Sequence, residues 1–329
     1  MMKLFLRTVI VIGVLAAIGT IASQVSPWPS ALLIRFTFDR GGDAASAALE
    51  KHVPDRIAEQ LNLQYDPTDS DAFLDVFYPA DVDKTDRALL TVVWIHGGGW
   101  ISGNKDQIAN YARILAGRGL TVVGVDYSIA PGSTYPTPLR QVNTALAYLQ
   151  ENAAKLHIDP QRFVLAGDSA GAHIAAQMAN IISVPSYAQA IGIAPSIKRA
   201  QMAGLVLHCG AYKLGEEPGI RIGDFSKVLL WAYSGRKDFG SDPSFATASV
   251  IDYVTADFPP VFISAGNSDP LLSQSLAFSA ALSKLGIRVD SLFFPADYQP
   301  PLPHEYQFNL DTEAGRLALE RSLAFLNSL

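Results

Sequence analysis

Short apolar runs alternate with stretches of helical periodicity along most of the chain. The run at residues 89–96 is continuously apolar, which is typical of a strand that is buried on both faces of a sheet. Further along, Leu139, Val142 and Leu146 recur at the spacing of one helix face. The patterns predict strands at residues 74–79, 89–96, 120–127, 162–167, 203–210, 259–266 and 289–295, and helices at residues 107–116, 139–156, 170–182, 225–234, 271–285 and 312–326.

This repetition of strand and helix predicts an α/β protein with a mostly parallel central sheet and helices on both faces. Residues 183–200 and 213–252 depart from the alternation and have irregular, loop-like stretches. Insertions at the carboxyl edge of a parallel sheet usually shape the binding site. Both stretches are therefore expected to form a small cap or pocket wall, not a second domain.

The first 25 residues differ from the rest of the chain. Lys3 and Arg7 precede residues 8–22, which carry no charge and are mostly apolar. A basic front followed by an apolar centre predicts a signal peptide or a signal anchor, and both alternatives stay open. Either way the remainder is expected to be exported, and to be membrane-anchored by this segment or secreted or periplasmic after cleavage. Residues 26–59 are expected to form a helical or linker segment on a bilayer or on the domain surface.

Charge, cysteine content and histidine spacing limit the partners, disulfides and cofactors that the sequence predicts. The 329 residues have a net charge of −6 and no Lys/Arg cluster, so nucleic acid is not expected as a partner. Cys209 is the only cysteine, which excludes an intrachain disulfide, and its apolar neighbours predict a small buried side chain. No histidine-rich metal spacing occurs, so neither a metal nor another cofactor is expected. The oligomeric state is left open.

Candidate chemistry centres on Ser169, in the sequence Gly-Asp-Ser-Ala-Gly at residues 167–171. This serine follows a predicted strand and precedes a predicted helix, which is the context of a nucleophile held at a sharp turn. Upstream, His96 and three glycines end another predicted strand in the sequence HGGGW. The glycine amides, together with the amide of Ala170, would bind a developing oxyanion.

A candidate general base and a candidate acid follow Ser169 in the chain. Of the six histidines, His304 is the one in a proline-rich loop between the last predicted strand and the last predicted helix, from which it can reach over the sheet edge. Asp269 comes directly after the predicted strand at residues 259–266 and is expected to orient the histidine. The order Ser169, Asp269, His304 is that of α/β-hydrolases. The alternative acids are Asp297, which is the strongest of them, Glu305 and Asp252.

In the order and type of these motifs, the chain resembles the hormone-sensitive-lipase-like and feruloyl-esterase-like carboxylesterases of the α/β-hydrolase superfamily. The resemblance covers about residues 60–329 and rests on VVWIHGGGW, VDYSIAP, LAGDSAGAH, SDPLL and PHEYQF. It implies an α/β-hydrolase catalytic domain over those residues, with Ser169 as nucleophile, Asp269 as acid and His304 as base. The resemblance further implies that the oxyanion-hole amides are those of Gly98, Gly99 and Ala170.

The resulting hypothesis is a serine hydrolase that cleaves a small-molecule acyl ester through an acyl-enzyme. An amide hydrolase, such as an aryl-formamidase or a peptidase, stays open because it would use the same three residues. A non-catalytic binding module is the third alternative, although such modules typically lose a member of the triad. The length of the acyl group cannot be read from the sequence.

Overall fold

A central sheet of eight strands organises the protein, whose computed structural model describes residues 5, 8, 19–215 and 223–329. The strands are β1 (Ile57–Gln64), β2 (Phe73–Pro79), β3 (Leu89–Ile95), β4 (Thr121–Val125), β5 (Ile158–Asp168), β6 (Met202–His208), β7 (Val261–Ala265) and β8 (Val289–Phe293). Their order across the sheet is β1-β2-β4-β3-β5-β6-β7-β8. β2 pairs antiparallel with both β1 and β4, and the remaining pairs are parallel.

The burial of the strands explains why the sheet lies at the centre. Every residue of β4 is buried, because helices cover both faces. Alternate side chains of β3 enter opposite layers: Val93 and Ile95 pack into one apolar cluster, and Val92 and Trp94 pack into the other. This mostly parallel sheet with two covered faces confirms the fold class predicted from the sequence.

The helices connect and cover the strands. Beyond residue 25, the α-helices of the described chain are α1 (Trp28–Leu49), α2 (Lys105–Ala116), α3 (Thr137–Glu151), α4 (Ala170–Ser183), α5 (Pro185–Ile191), α6 (Gly223–Ser234), α7 (Pro243–Ala246), α8 (Leu272–Lys284) and α9 (Glu313–Asn327). α4 is buried along its whole length and packs against β5 and β6. The many alanines of α4 allow this close packing, which fixes the residue directly before the helix, Ser169.

Two parts of the chain differ from the prediction. The strand β1 was not predicted, because an edge strand with mostly exposed or half-buried residues has no apolar run. The expectation that residues 183–200 form a wall of the binding site is wrong. α4 starts at the carboxyl end of β5 and runs back to the opposite edge of the sheet, where α5 forms. Residues 183–200 therefore lie away from the cavity beside Ser169, and none of them lines it. Residues 213–252 do contribute to that cavity, as expected, mainly through α6.

α1 occupies residues 28–49 of the segment for which a helix or a linker was expected, and this helix is tied to the rest of the protein. Arg35 donates from Nε to the carbonyl oxygen of Ile101 at 2.5 Å and from Nη2 to that of Ala130 at 2.8 Å. Both acceptors belong to the loops that follow β3 and β4. α1 therefore lies over the carboxyl edge of the sheet, while the boundary expected at residue 60 stays a prediction.

The predicted signal segment, residues 1–25, lies largely outside the described residues. Of this segment, residues 5, 8 and 19–25 are described, and residues 19–25 are helical. Among the helices that the structure describes, none is both long enough and apolar enough to span a membrane.

Candidate active site

Ser169 stands at a sharp turn between β5 and α4. Its φ of 52° and ψ of −117° form a conformation that residues other than glycine rarely adopt and that persists where the surroundings enforce it. The Ser169 amide donates to the carbonyl oxygen of His208 at 2.9 Å, which ties the turn to the end of β6. A side chain at Gly171 would collide with the carbonyl oxygen of Ile95, so glycine is required where α4 approaches β3. These constraints hold Ser169 at the carboxyl edge of the sheet.

The structure brings Ser169, Asp269 and His304 together in one hydrogen-bonded chain. His304 Nε2 lies 3.0 Å from Ser169 Oγ, and His304 Nδ1 lies 3.0 Å from both carboxylate oxygens of Asp269. When Nδ1–H donates to Asp269, Nε2 is left as the acceptor for the serine hydroxyl proton. The amide of Leu271 donates to Asp269 Oδ1 at 2.7 Å and so fixes the carboxylate. The arrangement can therefore remove a proton from Ser169 and stabilise the resulting imidazolium.

None of the alternative acids occupies the position of Asp269. Asp297 is exposed and forms no side-chain hydrogen bond with any described residue. Asp252 is paired with a lysine at 2.6 Å. Glu305 Oε1 lies 3.7 Å from His304 Nε2, the nitrogen that faces the serine and not the one that an orienting acid contacts.

The surroundings of His304 set its protonation. Its side chain is 31% exposed, whereas that of Asp269 is fully buried. Burial by itself lowers the pKa of His304, but the neighbouring Cys209 and Asp269 outweigh this effect, and the pKa lies well above the ordinary 6.5. Burial also raises the pKa of the Cys209 thiol. The fully buried carboxylate of Asp269 contacts Nδ1 directly and is therefore placed to stabilise the imidazolium.

The three residues predicted to form an oxyanion hole, Gly98, Gly99 and Ala170, line one cavity together with Ser169. Gly98 and Gly99 have φ values of 98° and 59°. Within the described residues, none of the three amides donates to another backbone or side-chain group. Ala170 is the first residue of α4, where the helix dipole favours negative charge. These amides are thus available to an anionic oxygen.

Two further histidines support the glycine loop. His96 stacks on Tyr127, and its Nδ1 lies 2.9 Å from the carbonyl oxygen of Gly97, which helps to fix this loop. His173 Nδ1 accepts from Trp100 Nε1 at 3.2 Å and joins the loop to α4. Burial lowers the pKa of each histidine to about 4, so both are neutral near pH 7. The contribution of Trp100 was missed by the sequence analysis, because its partner lies 73 residues away.

A cavity of about 390 Å³ opens beside Ser169. One side is the carboxyl edge of the sheet, and another is built by α1 and α6, whose Phe38 and Phe225 rings meet edge to face at 5.3 Å. The role of α1 in the cavity was not predicted from the sequence, although Phe38, Ala45 and Leu49 recur at helical spacing. The two helices line the cavity with Phe38, Gly41, Gly42, Ala45 and Leu49 from α1, and with Phe225, Leu229 and Leu230 from α6.

The same region contains one group of residues that could ligate a metal. Cys209, Asp269 and His304 offer ligand atoms that lie within 4.8 Å of one another. A metal would need the Cys209 thiolate, whereas burial raises the pKa of this thiol. It would also replace the proton that His304 Nδ1 donates to Asp269. The cluster is therefore better suited to a hydrogen-bonded triad than to a metal centre.

Comparisons with known proteins support this picture. A family model described as the alpha/beta hydrolase fold matches residues 92–298. Carboxylesterase NlhH of Mycobacterium tuberculosis is 28% identical over 322 residues, which cover 89% of this chain and 91% of the relative. Esterase LipQ of the same species is 30% identical over 245 residues, which cover 71% of this chain and 56% of the relative.

Solved structures share the architecture. Esterase B from Lactobacillus rhamnosis has a TM-score of 0.76 and 22% identity, and the match covers 91% of this chain and 96% of that one. The esterase of Pyrobaculum calidifontis has a TM-score of 0.71 and 21% identity, with 95% and 97% of the two chains covered. Because the family model spans more than half of the sequence, including Ser169 and Asp269, the chain belongs to the alpha/beta hydrolase fold family.

Proposed function

We infer that this protein is a serine hydrolase that cleaves carboxylic esters through an acyl-enzyme intermediate. The observation that carries this inference is the continuous hydrogen-bonded chain from Asp269 through His304 to Ser169. The relatives add support, since carboxylesterase NlhH, which is matched over 91% of its length, and esterase LipQ are both named as esterases.

In the acylation step, His304 Nε2 accepts the hydroxyl proton while Ser169 Oγ attacks the ester carbonyl carbon. The carbonyl oxygen becomes an oxyanion, and the amides of Gly98, Gly99 and Ala170 stabilise it. Asp269 stabilises the imidazolium. Collapse of the tetrahedral intermediate breaks the bond to the alcohol oxygen, which takes the proton from Nε2 and leaves.

Deacylation repeats these steps with water. His304 Nε2 takes a proton from the water molecule, whose oxygen attacks the acyl-enzyme carbonyl. The same amides stabilise the second oxyanion. The carboxylic acid then leaves as Ser169 Oγ recovers its proton from the imidazolium, so the enzyme returns to its starting state.

Replacement of the proposed nucleophile tests this function. Ser169→Ala should lower kcat for p-nitrophenyl acetate by about 10⁴-fold or more, because no acyl-enzyme can form. Ser273→Ala is a matched control, since Ser273 is an exposed serine on α8. A fluorophosphonate probe should label the wild type and the control but not Ser169→Ala. Near-wild-type activity in Ser169→Ala would overturn the assignment.

The same assay distinguishes the alternatives from the sequence analysis. An unlabelled wild-type protein without esterase activity would favour the binding module. Hydrolysis of a formyl anilide at a rate similar to that of the ester would favour an amide hydrolase. An esterase should hydrolyse the ester much faster, because the ester is the more reactive acyl donor and alcohol is the better leaving group.

We propose further that the acyl chain lies between α1 and α6. The support is the apolar character of the wall that Phe38, Leu229 and Leu230 form next to Ser169. Such a wall favours an alkyl chain over a charged acyl group, because desolvation of a charge without a partner is costly. A profile of kcat/KM against acyl length on p-nitrophenyl esters measures this preference, and a faster rate with a succinyl than with a butyryl ester would contradict it.

We also propose that the protein is exported and that its N-terminal region meets a membrane surface. The supporting feature is the outer face of α1, where Leu33 is 70% and Phe36 is 59% exposed, beside the partly exposed Trp28 and Leu32. The uncharged segment at residues 8–22 precedes this face in the chain. An exposed apolar helix face next to such a segment is suited to the interface of a bilayer.

Cosedimentation of the full chain with phosphatidylglycerol and phosphatidylethanolamine vesicles tests the membrane proposal. The double substitution Leu33→Asp and Phe36→Asp should lower the bound fraction. Leu276→Asp, at an exposed leucine on α8, should leave it unchanged. Equal binding of all variants would contradict a role for α1, and recovery of the protein from the cytoplasmic fraction of its cells would contradict export.

A further inference from the structure

Two acidic side chains lie next to the triad without belonging to it. Asp168 directly precedes Ser169 and is 4% exposed. Trp94 Nε1 donates to its Oδ1 at 2.8 Å. Among the described residues, no lysine or arginine pairs with Asp168. A buried carboxylate without a cationic partner is costly, so the second oxygen requires a proton or a donor.

Glu305 is the acidic residue that lies nearest to this second oxygen across Gly97. It follows His304 in the chain, and its carboxylate lies next to that of Asp168 at Gly97. A methyl group at Gly97 would collide with Asp168 Oδ2 and would lie 3.2 Å from Glu305 Oε1, so both carboxyl groups converge over the backbone of the glycine loop. Glu305 has a φ of 59°, a strained backbone for a residue with a side chain. The pair thus connects the serine turn, the glycine loop and the histidine loop.

Chemistry limits the protonation of such a pair. Two ionised carboxylates have no hydrogen between them and repel each other, whereas a singly protonated pair forms a short, charge-assisted hydrogen bond. Burial and the negative charge of Glu305 raise the pKa of Asp168 well above its ordinary value. The other titratable groups around Asp168 are Tyr111 and Tyr127, which burial keeps neutral, and His304.

We propose that Asp168 and Glu305 share one proton, and that this hydrogen bond holds the histidine loop where His304 Nε2 reaches Ser169. Glu305 is then a positioning residue, because it acts through His304 and not on the reacting atoms. The proposal rests on the serine esterase function proposed above. It extends that function by adding a clamp between the turn that carries the nucleophile and the loop that carries the base.

Amide substitutions remove the shared proton but keep the hydrogen bond between the two side chains. In Glu305→Gln, the amide N–H donates to the ionised Asp168, so the hydrogen bond and the net charge of the pair are kept. In Asp168→Asn, Oδ1 still accepts from Trp94 while Nδ2 donates to Glu305. In Glu305→Ala, the hydrogen bond is lost and Asp168 is left without its partner.

Kinetics with a p-nitrophenyl ester test the positioning role. Glu305→Ala should lower kcat by about 10- to 100-fold with KM little changed, because a misplaced base affects the chemical step. Glu305→Gln should recover most of this loss. Asp297→Asn, which removes an exposed carboxylate from the same loop, should behave as wild type. A Glu305→Ala enzyme equal to wild type, or a Glu305→Gln enzyme as slow as Glu305→Ala, would overturn the proposal.

Infrared spectroscopy tests the shared proton itself. At the pH of the assay, the wild type minus Glu305→Gln difference spectrum should contain the C=O band of a protonated carboxyl group. The wild type minus Asp168→Asn spectrum should contain the same band, and absence of the band from both would overturn the proposal even if Glu305→Ala failed to fold. Failure of the esterase function would show differently, as activity that survives Ser169→Ala.

Discussion

The substitution Asp269→Asn tests whether Asp269 determines which ring nitrogen of His304 carries the proton. The amide of Leu271 donates to Asp269 Oδ1 at 2.7 Å. In the variant, the asparagine carbonyl oxygen should keep this contact, which places the NH₂ group at the position of Oδ2, 3.0 Å from His304 Nδ1. An amide donor facing Nδ1 favours the tautomer with hydrogen on Nε2. That nitrogen can then no longer accept the proton of Ser169.

The magnitude follows from the loss of the base. In a Ser-His-Asp triad, this change of tautomer lowers kcat by about 10⁴-fold, which corresponds to about 5 kcal/mol of transition-state stabilisation. Stability should change little, because asparagine has the same shape and keeps the bond from Leu271. The assay is kcat for p-nitrophenyl acetate near pH 7, with thermal unfolding as the check on folding. A fall of less than tenfold would refute the assignment of Asp269, and an equally large fall in Asp297→Asn would redirect it.

Three further predictions concern pH, stability and the cavity. Only neutral His304 accepts a proton, and its pKa is raised, so kcat/KM should be lost as the pH falls, with a midpoint above pH 6.5. A midpoint below pH 6.5 would contradict the raised pKa. Lys105→Met should lower the free energy of unfolding, measured in urea, by about 3 kcal/mol, because it leaves the buried Asp75 without its partner at 3.1 Å. Lys51→Met, which removes the exposed ion pair with Asp311, should lower it by no more than about 1 kcal/mol. Ala45→Trp should lower kcat/KM for long acyl esters by about tenfold relative to acetyl esters if α1 borders the acyl chain, and an unchanged ratio would contradict that placement.

The triad candidates could be selected from the sequence because each lies close to a recognisable strand end. Ser169 follows the apolar run of β5, and Asp269 lies a few residues after β7. The carboxyl ends of parallel strands meet at one edge of the sheet, so local patterns were sufficient to bring these residues together. His304 was selected by its place in a loop after the last strand, for the same reason.

Features that depend on distant contacts could not be predicted in this way. α1 lies over the site because Arg35 reaches carbonyl groups 66 and 95 residues away, and no local pattern encodes that placement. The misplacement of residues 183–200 has a related origin, since the direction of α4 decides which sheet edge they occupy. The pairing of Asp168 with Glu305 likewise joins two ordinary acidic residues that only the fold brings together.

The position of α1 has a practical consequence for work with shortened forms of the protein. A form that begins near residue 26 would lack the predicted signal segment and keep the helix, so its ester preference should match that of the full chain. A form that begins near residue 55 would lose Phe38, Ala45 and Leu49 and leave that side of the cavity open to water. Such a form would keep Ser169, Asp269 and His304, yet the substrate range measured with it would be that of an incomplete pocket.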